Sequence, residues 1–427
     1  MEFQNNLSFA KKLDRADGLK RFRSLFNIPK VKGKTAIYFT GNSLGLQPKS
    51  TKKYVTEELE DWAKLGVEGH THSRRPWLYY HKFSKKALAA LTGAKPLEVV
   101  AMNHLTVNLH LMMVTFYRPT KTRFKIITEA GAFPSDQYAF ESQVKLHGLN
   151  PDDTIIELKP RNGELALRTE DVTAAIEQHA DQLALVIIGC VQYYTGQFFD
   201  IKKITEAGHQ AGAYVGFDLA HGIGNVPFSL HNDNVDFAVW CGYKYLNSGP
   251  GTVAGAFVHE RHATNFDLPR FAGWWGHHEG ERFQMRKGFK PMPGVDGWQL
   301  SNFPILPGAA QLASLEIFQQ AGIKNLRKKS VLLTGYLEFL LNEIQSDQFQ
   351  IITTNKKEER GCQLSIYMNK NLPGRQASGK KVFDKITKAG IFADWREPNV
   401  IRVAPVPLYN TFEEVFRFVE IFKKALK

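Results

Sequence analysis

Between Tyr54 and Phe257 the chain alternates apolar, β-rich runs with stretches of helical periodicity, and no other feature restricts its fold as strongly. Strands are expected at 124–128, 183–188, 214–217, 237–240 and 254–258, with helices such as 136–146 and 202–210 between them. Strands that are apolar throughout must be buried on both faces, which calls for a mostly parallel sheet covered by helices, an α/β arrangement. After Pro304 the texture changes. A long helical pattern at 309–343, a strand at 363–368, a helix at 380–389, a strand at 400–404 and a terminal helix at 412–426 describe a smaller α+β domain. The expected division is a large domain over 50–305 and a small one over 306–427, joined by the N-terminal segment 1–49.

A chain of 427 residues with 43% hydrophobic content can bury a core of this size. Residues 1–30 carry Leu13, Leu19, Phe22 and Phe26 among charges, the pattern of an amphipathic helix and not of a signal peptide. No segment reaches the ~18–20 apolar residues of a membrane span, so no membrane partner and a cytoplasmic location are expected. Three widely spaced cysteines, Cys190, Cys241 and Cys362, fit neither a disulfide framework nor a zinc pattern. The net charge of +13 is spread along the chain, so it reads as a solvated basic surface and not as a nucleic-acid site.

Two residues point to chemistry. Asp218 closes the apolar run 214–217, and Lys244 lies in the small-residue turn WCGYKYLNSGP (240–250) just beyond the next strand. Ligands of parallel sheets bind outside the carboxyl ends of the strands, where both residues are expected. A pyridoxal phosphate enzyme needs an amine to hold the cofactor aldehyde as a Schiff base and a carboxylate to keep the ring nitrogen protonated, and Lys244 and Asp218 suit those roles. A solvated loop lysine and a capping aspartate are the plain alternatives. Leu105 and Thr106 open a helical stretch whose first amides form an anion site for a 5′-phosphate, unless Thr106 is an ordinary N-cap. Phe133, fixed by Pro134, is placed to stack on a ring, and Ser135 and Asp136 either cap the next helix or touch the cofactor. His221 either packs on the cofactor or satisfies a loop carbonyl. Arg402, the single charge inside an apolar strand pattern, either grips a substrate carboxylate or forms a structural ion pair. His70, His72, Trp274, Trp275, His277 and His278 offer flat contacts and donors for an aromatic substrate; with no spaced acidic or cysteine partner they are not metal ligands, and no metal is expected.

These residues sit within motifs that resemble the kynureninase family, fold-type-I pyridoxal phosphate enzymes of the aspartate aminotransferase superfamily. The resemblance runs through YFTGNSLG (38–45), LTVNLHL (105–111), AFPSD (132–136), YYTGQ (193–197), GFDLAHGIGNV (216–226), GYKYLN (242–247), GWWGH (273–277), LSN (300–302) and RVAPVPLYN (402–410). It implies that Lys244 carries the Schiff base and Asp218 pairs with the ring nitrogen. Phe133 stacks, Leu105, Thr106 and Tyr243 hold the phosphate, and Pro134, Ser135, Asp136 and His221 surround the cofactor. Trp274 and Asn302 would reach the site across a homodimer interface. Arg402 would clamp the substrate carboxylate, with Ser43, His70, His277 and Asn302 also on the substrate side. One departure stands out: Gly189, followed by Cys190, occupies a position where many relatives carry serine, so one cofactor hydrogen bond loses its usual donor.

The reaction implied is hydrolytic β,γ-cleavage of L-kynurenine, or its 3-hydroxy form, to an anthranilate and L-alanine, a step of tryptophan catabolism, with Tyr243 a candidate proton carrier. His70 and Asn302, as polar pocket positions, favour the hydroxylated substrate. The nearest rival is a cysteine desulfurase or selenocysteine lyase, which needs a thiolate on a mobile loop. Cys362, leading into an apolar strand, reads instead as a buried cysteine. A non-catalytic cofactor-binding or polyanion-binding protein is the rival from another class, and it would have no use for Arg402.

Overall fold

The apolar strand runs assemble into one seven-stranded sheet in the computed structural model, which describes residues 2–369 and 379–427. Its strands are β1 (Val99–Ala101), β2 (Lys125–Glu129), β3 (Ile155–Leu158), β4 (Leu183–Gly189), β5 (Tyr214–Asp218), β6 (Phe237–Trp240) and β7 (Gly255–Val258). Their spatial order is β1-β7-β6-β5-β4-β2-β3. All neighbours are parallel except β7, which runs antiparallel to both β6 and β1. Alternate residues of each strand serve opposite faces. Ile127, Val186, Ile188, Val215, Phe217, Ala238 and Trp240 join one core, whereas Ile126, Leu185, Ile187, Phe237 and Val239 join another. A period of two with both faces buried is why these strands read as unbroken apolar runs.

The helices are α1 (Leu7–Ala16), α2 (Thr51–Leu65), α3 (Lys85–Thr92), α4 (Leu105–Phe116), α5 (Pro134–Leu146), α6 (Thr169–Gln178) and α7 (Ile201–Gln210), followed by α8 (Ile305–Ala321), α9 (Ile323–Asn342), α10 (Gly379–Lys388) and α11 (Phe412–Ala425). The single helix expected over 309–343 is two. Gly322, at φ +73°, takes a backbone conformation that no helix continues, and α9 restarts beyond it. The expected boundary at 305–306 falls at the start of α8, whose Ala309, Leu312, Leu315 and Phe318 pack into the core of the large sheet.

The second sheet contains β8 (Phe349–Ile351), β9 (Leu364–Met368), β10 (Asp394–Arg396) and β11 (Val400–Val403), in the order β8-β9-β11-β10 and antiparallel throughout. Its core takes Phe9 and Leu13 from α1, Leu337 from α9 and Val415, Phe418 and Phe422 from α11. The start of α11 is set by a capping box: the Thr411 side chain accepts the Glu414 N–H at 3.1 Å, and the Glu414 carboxylate accepts the Thr411 N–H at 3.1 Å. Among the described residues no helix is long and apolar enough to cross a membrane.

Polar clasps fasten the end of the large sheet away from its strand carboxyl ends. Asp236, just before β6, accepts hydrogen bonds from the Val215 N–H at 2.7 Å, from His262 Nε2 at 2.8 Å, from His209 Nε2 at 2.9 Å and from Arg261. Burial works to raise this carboxyl, but the His209, His262 and Arg261 donors outweigh it and hold it well below the usual carboxylate range. Glu98, His231 and His259 form a second clasp. Their donor set resembles a metal site, but the two imidazoles stack at 5.0 Å and 11°, so their in-plane lone pairs do not converge. Glu98 already bonds His231 Nδ1 at 2.9 Å and the Glu260 N–H at 2.8 Å.

Candidate active site

Three adjacent parallel strands end in Glu129, Gly189 and Asp218, and the turn after β6 adds Tyr243 and Lys244. A cavity of about 70 Å³ opens over these ends. Its walls bring together nine residues expected from the sequence: Leu105, Thr106, Phe133, Ser135, Asp136, Asp218, His221, Tyr243 and Lys244. A larger concavity of about 1020 Å³ lies beside Asp14, Arg23 and Arg417, but it does not gather an amine, a buried acid and an aromatic face in this way. The turn that carries Lys244 is braced from the N-terminal motif, where the Gly45 N–H donates to Tyr243 O at 2.8 Å.

The Lys244 ammonium stands 5.6 Å from the Phe133 ring centroid and 5.8 Å from that of Tyr243. Phe133 is held edge-on against Tyr193 at 5.2 Å, leaving a ring face towards the amine. Asp218 is buried, and its Oδ1 accepts the Ala220 N–H at 2.7 Å. Asp136, in the first turn of α5, lies beside Asp218 on the cavity wall. Burial pushes both carboxyls up. Asp136 goes further because Asp218 repels its ionised form, while Lys244, the Ala220 N–H and Asp136 itself pull Asp218 back. Of the two, Asp136 is the carboxyl held further above its usual range, beside an Asp218 that faces Lys244.

The plain alternatives for several residues fail on geometry. The N-cap of α4 is His104, whose side chain makes no capping bond, and Asn103, in the left-handed region at φ +48°, turns the chain into the helix. Thr106 is therefore not a cap, and the first amides of α4 stay free for an anion. Phe133 occupies the N-cap position of α5, so Ser135 does not cap either; its hydroxyl donates to Asp136 Oδ1 at 3.2 Å. The ring of His221 is buried with Nδ1 unpaired, and its basicity falls well below the usual value through burial first and then the nearby cations of Lys244, Arg402 and Arg396. The bond to Asn225 that involves His221 uses its backbone carbonyl and leaves the ring free. Tyr243 has its hydroxyl pushed up by burial and then by its hydrogen-bonded neighbour Cys241.

Arg402, on β11, is fully buried beside this cavity. Its Nη1 donates to Tyr193 O at 2.7 Å, its Nη2 pairs with Asp394, and its Nε is buried without a partner. It makes the structural ion pair and still presents a free donor. Pro134 begins α5 outside the cavity wall. Ser43 and Asn302 are exposed, Trp274 donates to Arg282 O at 3.2 Å, His277 Nδ1 accepts the Lys290 N–H at 3.0 Å, and His70 packs edge-on to Trp77 at 5.5 Å; none of the five lines the cavity within one chain. Glu129, which does line it, was not singled out from the sequence: an acid ending the run KIITE is indistinguishable from a surface strand end until its neighbours are known. Cys362 is completely buried, and burial pushes its thiol to about 12, so it offers no thiolate.

The constellation suits a phosphorylated pyridine aldehyde: free helix amides for the phosphate, a ring face, an acid for the ring nitrogen, an amine for the aldehyde and an orphaned imidazole. Residues 326–422 match the family model described as the kynureninase C-terminal domain. The chain is 54% identical to the kynureninase of Flavobacterium psychrophilum over 100% of this chain and 99% of that one. It is 56% identical to the kynureninase of Myxococcus xanthus over 98% and 97%, and 49% identical to that of Nematostella vectensis over 98% and 94%. Among solved structures, an apo cysteine desulfurase from Thermococcus onnurineus NA1 superimposes with TM-score 0.73 at 18% identity, covering 91% of this chain and 94% of that one. A cysteine desulfurase from Escherichia coli gives 0.75 at 17%, covering 96% and 98%. The desulfurases share the fold, while full-length identity above half lies elsewhere: the chain belongs to the kynureninase family.

Proposed function

We propose that this chain hydrolyses L-kynurenine or 3-hydroxy-L-kynurenine at the Cβ–Cγ bond, releasing anthranilate or 3-hydroxyanthranilate and L-alanine in tryptophan catabolism, with pyridoxal 5′-phosphate as cofactor. The observation that carries this reading is the convergence of Lys244, Asp218 and Phe133 on one cavity, beside an arginine with a free buried nitrogen. When bound, the cofactor supplies an electron sink for carbanions formed on an amino acid. Lys244 Nζ would hold the cofactor aldehyde and would then move the substrate α-proton. Asp218, favoured as an anion by Lys244 and the Ala220 N–H, would hold the proton on the ring nitrogen. The first amides of α4 and the Thr106 hydroxyl would bind the phosphate, Phe133 would stack on the ring, and Arg402 Nε would take the substrate carboxylate. Tyr243 carries a proton in the later steps, where water adds at the γ-carbonyl.

The same reading makes the active form a cytoplasmic homodimer with shared sites. Its support is the exposed apolar group Phe271, Trp274, Phe283 and Met285, in the same segment as His277, which like Asn302 does not line the cofactor cavity of its own chain. Ser43, His70, His277 and Asn302 then form the substrate's aromatic end from both subunits, with the hydroxylated substrate preferred. The same reading begins the smaller unit after α8, which packs with the large sheet, and gives it α1, whose Phe9 and Leu13 join the second core, while Phe22, Phe26 and Leu46 of the N-terminal segment pack with the large one. The deciding experiment is turnover of the cofactor-loaded protein on both kynurenines, read by anthranilate fluorescence. Product from neither would refute the function, and a kcat/KM ratio favouring plain kynurenine would refute the preference.

A further inference from the structure

Glu129, the last residue of β2, is 3% exposed and lines the cofactor cavity. Both its carboxyl oxygens lie 3.2 Å from the Gly189 nitrogen, and the Thr128 hydroxyl is 3.3 Å from Oε2. Gly189 stands directly across from Asp218 in the β4–β5 register, and the next N–H, that of Cys190, donates to Asp218 O at 2.8 Å. The carboxyl on β2 thus grips the strand end that in turn grips the backbone of Asp218. Glycine at 189 leaves room for the grip: a Cβ there would stand 2.9 Å from Glu129 Oε1, and the carboxyl would have to shift.

Charge balance sets the state of this acid. Asp136 from α5, Asp218 from β5 and the Cys190 thiol after β4 face Glu129, and Lys244 lies beyond Asp218. Burial keeps the Cys190 thiol and the His221 imidazole uncharged. Three enclosed carboxyls opposite a single ammonium cannot all ionise without leaving uncompensated buried charge. Burial first, then the charge of Asp218, lifts Glu129 to about 8.

We infer that Glu129 is a positioning residue for Asp218: an uncharged carboxyl that holds Gly189 and leaves Asp218 as the carboxylate available to the cofactor. The inference rests on the cofactor reading above, and its test uses no substrate. The protein is stripped, refilled with pyridoxal phosphate and followed by the visible absorption of the bound cofactor. Glu129→Gln keeps a neutral acceptor for Gly189 and is expected to hold the cofactor within about threefold of wild type, whereas Glu129→Leu leaves a buried N–H unpaired and weakens binding by about tenfold. Above neutral pH the wild-type Glu129 ionises, and its charge retains the cofactor's protons, so the wild-type absorption titration lies to the alkaline side of that of Glu129→Gln. Gly189→Ala, a second probe that does not touch the acid itself, displaces the carboxyl and is expected to weaken binding about as much as the leucine variant. Equal losses in the Gln and Leu variants, wild-type binding by Leu or by Gly189→Ala, or coincident titrations would each overturn the inference alone. A wild-type protein that takes up no cofactor overturns the cofactor reading and the inference with it.

Discussion

Arg402→Lys separates a substrate clamp from a structural ion pair. Of the five guanidinium N–H donors, one on Nη1 goes to Tyr193 O at 2.7 Å and one on Nη2 to Asp394. Nε is buried without a partner, and it is the donor offered to a substrate carboxylate. A lysine presents one compact charge, which Asp394 would capture, so the substrate carboxylate would enter a buried site with no partner. Removing one partner of a buried, hydrogen-bonded charge pair costs about 2–5 kcal/mol; with a positive charge still nearby, about 3–4 is expected. At about 1.4 kcal/mol per decade this is a loss of roughly 10²–10³ in kcat/KM. The assay is steady-state anthranilate release with kcat and KM resolved, alongside the dissociation constant for pyridoxal phosphate, which stays unchanged because Arg402 does not line the cofactor cavity. The lost Tyr193 bond lowers the melting temperature of the cofactor-free protein slightly, consistent with about 1 kcal/mol. A kcat/KM within about threefold of wild type, under about 0.7 kcal/mol, would refute the clamp and leave Arg402 as a structural residue.

Three further outcomes are expected. Asp236→Asn destabilises the protein by about 3 kcal/mol, since it strips the buried carboxylate from His209, His262 and Arg261. Because the folded-state carboxyl is depressed, its contribution is complete above the unfolded value near 3.9 and is lost as pH falls towards the folded one, so the calorimetric gap between variant and wild type should narrow only below about pH 4. Cys362→Ala retains kynurenine turnover, and the wild-type protein releases no sulfide from L-cysteine; sulfide release abolished by that substitution would revive the desulfurase reading. Tyr243→Phe slows turnover and alters its pH profile, and full activity with an unchanged profile would remove the hydroxyl from the proton path.

Much of the site was legible because it lies at strand ends. Asp218 and Lys244 follow two successive apolar runs, and neighbouring parallel strands deliver such residues to the same edge of a sheet, so their proximity follows from local pattern and the crossover rule. Thr106 and Ser135 were ambiguous for a local reason: a hydroxyl at a helix start caps or binds a ligand with the same composition, and only the backbone at His104 and Phe133 tells which. Glu129 was illegible, because its burial depends on β4 and β5 pairing in the order that puts Gly189 between it and Asp218. The Asp394–Arg402 pair was hidden similarly, in the antiparallel register of β10 with β11.

Periodicity, apolar run length and turn chemistry act within a few residues of one another, and they determined five strands of the large sheet, the α/β class and the amine and acid at the centre of the site, but not the short strands β3, β8 and β10. Which strands are neighbours, the reversed direction of β7 and the break at Gly322 between two packed helices were decided only by the tertiary structure. So was the burial that raises the carboxyls of Glu129, Asp136 and Asp218, because the energy of a buried charge is set by what surrounds it in space and those surroundings come from elements far apart in the chain.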